Sequence, residues 1–231
     1  SCADAGAVQD ESGLYLGLNW NINRAFSLFA YGDYAYFAWP KYGQSFSGAH
    51  ALDGFLQLNY QHKKTLLTAQ YRTRYRQRDN KEKDMLINRN EHRGRIKADY
   101  VLGPWQLRTQ ANLTYALQES GSLGYMLSQS ILRHYKCIIV SASLGYFHTQ
   151  DYSSRVYTYE RGMLYDFSFP CFFGHGIRYS MTARSDLGRH LTLIAKAGTT
   201  DYFDRSVIGS GLQEIAHSSQ TDIQLQAIVK L

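Results

Sequence analysis

The chain has 231 residues, with 19 Tyr and 11 Phe against 3 Pro, 3 Trp and 3 Cys, and a formal net charge of +6 at pH 7. It is long enough for one domain, and its tyrosine-rich, proline-poor balance suits β-strands. No run reaches the roughly 18 apolar residues of a membrane-spanning helix, which excludes a helical membrane protein. The mean hydropathy of −0.39 does not exclude a membrane barrel, whose strands turn only every second residue to lipid.

The first residues, 1–12, read as an N-terminal extracellular loop or a truncated start. No secretory leader opens the chain, so it has been removed or the beginning is cut. Cys2 is one position away from where a lipidated cysteine would stand, and Cys2, Cys137 and Cys171 have no metal-like spacing. No cofactor and no metal is expected.

From there two-residue periodicity recurs about every dozen residues. It predicts strands at 13–21, 25–37, 52–62, 65–77, 91–101, 105–116, 123–132, 137–148, 176–185, 190–200 and 221–231. Short turns fall at 21–24, 62–64, 102–105, 133–136 and 185–189. Longer loops fall at 38–51, 77–90, 117–122, 149–176 and 201–220. Short connections at one end and long ones at the other match outer-membrane barrels, with the short end periplasmic.

The alternation is clearest at 65–77, where Leu67, Ala69, Tyr71, Thr73 and Tyr75 oppose Thr68, Gln70, Arg72, Arg74 and Arg76. The next strand sets Ile96, Ala98 and Tyr100 against Arg93, Arg95, Lys97 and Asp99. The one after sets Trp105, Leu107, Ala111, Leu113 and Tyr115 against Gln106, Arg108, Gln110 and Asn112. A soluble sandwich also alternates. Strands of about 10 to 12 residues match the 9 to 11 that cross a bilayer, and Tyr and Trp gather near strand ends as interfacial girdles do.

The expected fold is therefore all-β: an antiparallel transmembrane β-barrel over 13–231, with a long inserted loop at 149–176. Eleven strands are predicted, or thirteen if 155–169 adds two. Single-chain bacterial barrels normally have an even number, so at least one upstream strand is expected, giving about 12 in this portion or a larger barrel.

The chain ends on Ile223, Leu225, Ala227, Val229 and Leu231 alternating with polar residues, interrupted by Ile228. This resembles the terminal signal of outer-membrane barrels, although those usually close on an aromatic residue. Separately, Arg155-Val-Tyr-Thr-Tyr-Glu160, Leu164-Tyr165, Phe167-Ser-Phe-Pro170, Gly176-Ile-Arg178-Tyr179, Ile208-Gly-Ser-Gly211 and Gln226 form a pattern over the last third of the chain. It resembles the C-terminal barrel portion of Bacteroidota outer-membrane proteins with a helix-hairpin-helix domain near the N-terminus. That domain, which in the family suggests nucleic-acid contact, has no counterpart in these residues.

Two groups are candidate functional residues. Arg72, Arg74, Arg76, Arg93, Arg95, Lys97 and Arg108 form a basic wall on one face of three consecutive strands. Such a wall either selects anions or is neutralised by acids of an inserted loop, with Glu160, Asp166 and Glu214 available, or by acids of the missing upstream segment. The aromatic insertion is expected to fold inward as a plug or constriction, with Arg155, Tyr157, Tyr159, Glu160 and Arg178 in a lumen network; a surface partner site is the alternative. Gly209 and Gly211 read as a turn rather than a phosphate loop. His175 and Ser180 suggest a barrel hydrolase, but no third partner is evident, so the chain is read as not an enzyme.

Transport or uptake of anionic cargo across the bacterial outer membrane is the first functional expectation, and a plugged scaffold barrel the second. The expected partners are outer-membrane lipid, the barrel-assembly machinery, an upstream part of the same protein or an associated chain, and an anionic solute or nucleic acid.

Overall fold

The computed structural model describes residues 10–118, 120–165 and 169–229. The fold is all-β. Its strands are β1 (Glu11–Asn21), β2 (Phe26–Phe37), β3 (Ala49–His62), β4 (Thr65–Asp79), β5 (Leu86–Leu102), β6 (Trp105–Leu117), β7 (Gly121–Tyr135) and β8 (Ile138–Thr149). Then come the two-residue β9 (Val156–Tyr157) and β10 (Cys171–Phe172), followed by β11 (His175–Leu187), β12 (Leu191–Tyr202) and β13 (Ser219–Val229). Eleven of them form one antiparallel sheet in the order β1-β2-β3-β4-β5-β6-β7-β8-β11-β12-β13. This is a barrel-type meander in which each strand pairs with its chain neighbour. The sheet is open, with β1 and β13 as its edges. No helix among the described residues is long and apolar enough to cross a membrane.

All eleven predicted sheet strands are present, but several run further than the periodicity indicates. β4 and β5 continue to the pair Asp79↔Leu86, reducing the expected loop at 77–90 to 80–85. The added residues are Arg78 and Asp79 on β4 and 86–90 on β5, where two charged neighbours face two adjacent apolar ones, Leu86 and Ile87, so they carry no two-residue alternation to detect. The expected long loop at 117–122 is only 118–120, because β6 and β7 pair up to Leu117↔Gly121. Residues 155–169 add no strands to the sheet: Val156 and Tyr157 pair instead with Phe172 and Cys171 in a separate two-stranded ribbon. At the other end of the sheet the turns are tight, and Lys63, Gly103, Lys136 and Gly188 supply the positive φ they need.

The packing is inverted relative to a water-soluble protein. Leu16 is 67% exposed, Ile96 64% and Leu225 79%, while Asn112, Thr114, Arg178 and Lys196 are buried. Of the terminal signal, Ile223, Leu225, Ala227 and Val229 all face outward on β13; Leu231 lies outside the described residues. Rings bound this apolar face at both ends. Near the turns, Phe26 and Tyr60 pack with centroids 4.5 Å apart, and the Arg133 guanidinium sits over Trp105. Near the loops, hydroxyls of Tyr34, Tyr71 and Tyr146 meet the rings of His50, His92 and His175 at 2.7, 2.8 and 3.0 Å. On β3 the two belts lie ten residues apart, from His50 to Tyr60. At about 3.4 Å per residue and a tilt of about 40°, that is roughly 26 Å of height, against the ≈ 25 Å apolar band of an outer-membrane barrel.

The inner face holds two small apolar clusters near the loop end. One joins Ala35, Phe37, Ala49 and Ala51 with Leu86. The other joins Met126, Phe147, Val156 and Phe172 with Tyr202, and it seats the β9–β10 ribbon against β7 and β8.

Candidate functional site

The inner face divides into a basic wall on β3–β6 and a fastened insertion on β11–β13. On the wall, register sets Arg72 directly opposite Arg93 and Gln70 opposite Arg95. On the next strand Thr114 stands opposite Arg93 and Asn112 opposite Arg95. Like charges directly opposite each other are unfavourable, so counterions matter.

The acids come from the strands themselves. Asp53 of β3 accepts from both Nε and Nη2 of Arg72 and from Nε of Arg74 at 3.2 Å. Glu91 pairs with Arg93, and Asp99 with Lys97 and Arg108. Arg95 differs. Its one hydrogen-bond partner among the described residues is the amide oxygen of Asn112, at 2.8 Å.

The sequence-based expectation that insertion acids neutralise the wall is therefore corrected for two of the three candidates. Glu160 is engaged elsewhere, and Glu214 is exposed in the loop between β12 and β13. Asp166 lies outside the described residues. Asp53 and Glu91 occupy the same alternating face as the arginines, Asp53 reaching Arg72 and Arg74 from the neighbouring strand and Glu91 standing two residues from Arg93 on β5, while the insertion is anchored further round the sheet.

Insertion 150–174 crosses the inner face. Glu160 is buried, and its carboxylate takes the Nε of Arg178 at 2.9 Å, the Nη2 at 3.1 Å and the Lys196 ammonium at 3.0 Å. The remaining Nη1 of Arg178 donates to Asp222 of β13 at 2.6 Å and to Thr200 at 3.3 Å. Gly198 makes this reach feasible, because a Cβ there would lie 2.2 Å from the Arg178 Nη2. Farther along, the Gln226 amide clamps one residue of the insertion: its Oε1 accepts from Leu164 N at 2.8 Å and its Nε2 donates to Leu164 O at 2.9 Å. Thr182 donates to the Arg161 carbonyl.

Of the expected lumen network, Glu160 and Arg178 meet, and Tyr157 reaches the wall, its ring centroid 5.1 Å from the Arg93 guanidinium. Tyr159 is half exposed and packs on Phe169. It also lines a cavity of about 420 Å³ with Glu160, Arg108 and a serine-rich wall, Ser130, Ser141, Ser143 and Ser180. Arg155 does not join the Glu160 cluster. It folds back on its own loop, donating to the Tyr157 hydroxyl at 2.7 Å and the Tyr152 carbonyl at 3.1 Å.

Sequence reasoning missed Lys196 and Asp222 as members of the cluster, Asp53 as the counterion of the wall, and Asn112. A polar side chain on an inward position of a strand is the signal they share. In the loops, Asp204 is held below the usual carboxylate range by its hydrogen bonds from Arg205, and Asp151 by the Ser153 hydroxyl. His175 and Ser180 are not brought together. His175 points outward to Tyr146, whereas Ser180 faces inward and bonds Ser143 at 2.7 Å. Cys137 and Cys171 are free thiols, and no cluster of three or more His, Cys, Asp or Glu among the described residues is placed to hold a metal.

No family model matches the chain, and no curated protein matches it. Among solved structures it is similar to a protein titled "Copper transporter OprC", with a TM-score of 0.43 and 11% identity over 94% of this chain and 41% of that one. The chain thus spans about two-fifths of that protein's length.

Proposed function

We propose that this chain is part of the wall of a bacterial outer-membrane β-barrel that admits anionic solutes through an arginine-rich interior. The observation that carries the reading is the inverted placement of side chains, with leucines facing outward between two aromatic belts and arginines inward. A water-exposed monomer rarely shows more than a few hundred Å² of contiguous apolar surface, whereas lipid covers such a face. Lipid is thus one partner, and the barrel-assembly machinery that inserts such sheets is another.

The free edges of β1 and β13 need closure, since lipid cannot satisfy an open ladder. In an eleven-strand meander the two edges run in the same direction, so joining them directly makes a parallel pair. One further strand, or any odd number, closes the ring with antiparallel pairs alone. We assign that role to another part of the same protein or to an associated chain. The resemblance to the Bacteroidota proteins fits this reading in one respect: Glu160, Leu164, Arg178 and Gln226, which carry it, are the residues that fasten the insertion.

The test is ion selectivity of the protein in planar bilayers. Anion-selective current is expected, and replacing Arg74, Arg93 and Arg95 together with glutamine should lower the anion-to-cation permeability ratio severalfold. Cation-selective current, or a ratio unmoved by the substitutions, removes the basic wall from the account. Correct insertion with no current favours the second reading, a plugged scaffold barrel in an envelope assembly, which the buried Glu160 cluster supports.

Lipid exposure has its own test. Ile96, on β5 midway between His92 and Tyr100, sits near the middle of the apolar band. Ile96→Arg should cost about 2–4 kcal/mol of folding free energy in lipid vesicles, whereas Ser141→Arg, directed into the 420 Å³ cavity, should cost much less. Equal costs at the two positions would mean that the outer face is not in lipid.

A further inference from the structure

We propose that the basic wall contains a discrete phosphate-binding site, centred on Arg95 and Asn112 and flanked by Arg72, Arg93, Gln70 and Tyr157. The inference deepens the transport reading and rests on it, by naming the anion class that the interior recognises. These six residues line a cavity of about 170 Å³ on the inner face, enough for a tetrahedral oxyanion with water around it.

Three observations point to a ligand. The first is the orientation of Asn112. Its amide oxygen accepts from Arg95 Nε at 2.8 Å and from Gln110 Nε2 at 3.2 Å. Two donors on that side leave no freedom to flip, because a turned amide would set NH₂ against both. The Nδ2 must then point the other way, and there it is buried without a hydrogen-bond partner among the described residues, on a residue only 8% exposed. A buried donor left unmatched is destabilising, and an acceptor in the cavity removes that cost.

The second is charge. Arg72 and Arg93 each have a carboxylate partner, Asp53 and Glu91. Arg95 has none among the described residues. Its Nε is committed to Asn112, which leaves its terminal nitrogens to face an acceptor. The third is the register. Arg72 and Arg93 form one rung, and Gln70, Arg95 and Asn112 the next, so three guanidiniums and the Asn112 amide converge from three strands at two levels. The Gln70 amide donates to Gln57 at 2.7 Å, so the donors facing the cavity are the guanidiniums and Asn112; such a surface matches an oxyanion with several acceptor oxygens and net negative charge, and guanidinium groups bind phosphate bidentately. The Tyr157 ring, lying over Arg93, closes the side facing the insertion and limits the size of what enters.

The test uses the full protein in detergent at low ionic strength, titrated with inorganic phosphate and, in parallel, with glucose 6-phosphate, each followed by calorimetry and phosphorus NMR. Saturable phosphate binding is expected, weakened at least tenfold in Arg95→Gln. The second variant is Asn112→Asp, which keeps the shape of the side chain and supplies the missing negative charge. It should abolish binding while leaving the protein folded, as read from resistance to unfolding on unheated gels. If inorganic phosphate binds and the sugar phosphate does not, the site takes the free ion; if both bind, it takes a phosphoryl group on a larger solute.

Absence of phosphate binding in the wild-type protein, or binding unchanged in both variants, overturns the inference. The two readings fail separately. Phosphate binding without any bilayer current would sink the transport reading alone, and anion current that phosphate neither blocks nor saturates would sink the site alone.

Discussion

Replacing Glu160 by alanine is expected to destabilise the protein by about 3–5 kcal/mol, the usual cost of removing one partner from a buried ion pair. The carboxylate is 5% exposed and holds two cations that are themselves buried, Arg178 at 7% and Lys196 at 4%. Arg178 keeps Asp222 after the change, so most of the cost falls on Lys196, whose one ion pair among the described residues is with Glu160. Urea unfolding in detergent would show the loss as a lower midpoint, and limited proteolysis would cut within 150–174 sooner. Glu160→Ala combined with Lys196→Met should recover part of the stability, because removing both charges relieves the uncompensated one. An unchanged midpoint in the single variant would show that the insertion is not held by this cluster. In the bilayer experiment the same variant should conduct more than wild type if the insertion narrows the passage.

Phe147→Ala should have a comparable effect by a different route. Phe147 is fully buried, its ring 5.2 Å from that of Phe172 and 5.7 Å from that of Tyr202, with Met126 and Val156 completing the cluster. Truncating such a ring leaves a cavity and costs about 3–5 kcal/mol. Phe172 and Val156 are the strands of the insertion ribbon, so losing Phe147 frees both from β8. The variant should therefore match Glu160→Ala in protease sensitivity at 150–174, while Phe147→Leu, which keeps most of the volume, should cost less than about 1.5 kcal/mol. Loss of stability without any change at the insertion would mean that Phe147 supports only the sheet.

These two residues illustrate how differently the parts of the molecule could be read. The outward face of β4, β5 and β6 was legible because Leu67, Ile96 and Leu113 recur every second residue beside arginines, and a strand places alternate side chains on opposite faces. The same period groups Arg72, Arg93 and Arg95 on the opposite face, and strand length, ring belts and loop lengths turn that face inward. Phe147 carried no such signal. It lies on the inner face of a strand whose outer face is also apolar, and only the insertion explains why a ring belongs there. Strand ends were misjudged at Asp79 and Leu86 for a related reason: Arg78 and Asp79 are both charged and their partners Leu86 and Ile87 both apolar, so pairing continues without a two-residue pattern.

By itself, then, the sequence determined the all-β class, the eleven strands of the sheet and the grouping of the basic residues on one face of three of them, because all of these are local consequences of a two-residue period. The tertiary structure alone decided that Asp53 neutralises Arg72 and Arg74, that Arg95 has no acid among the described residues, and that Glu160 joins Arg178 and Lys196. It also decided that Gln226 clamps Leu164, 62 residues away. Such contacts depend on which strands lie side by side and where an irregular segment crosses them, and neither leaves a periodic trace in the residues that make them.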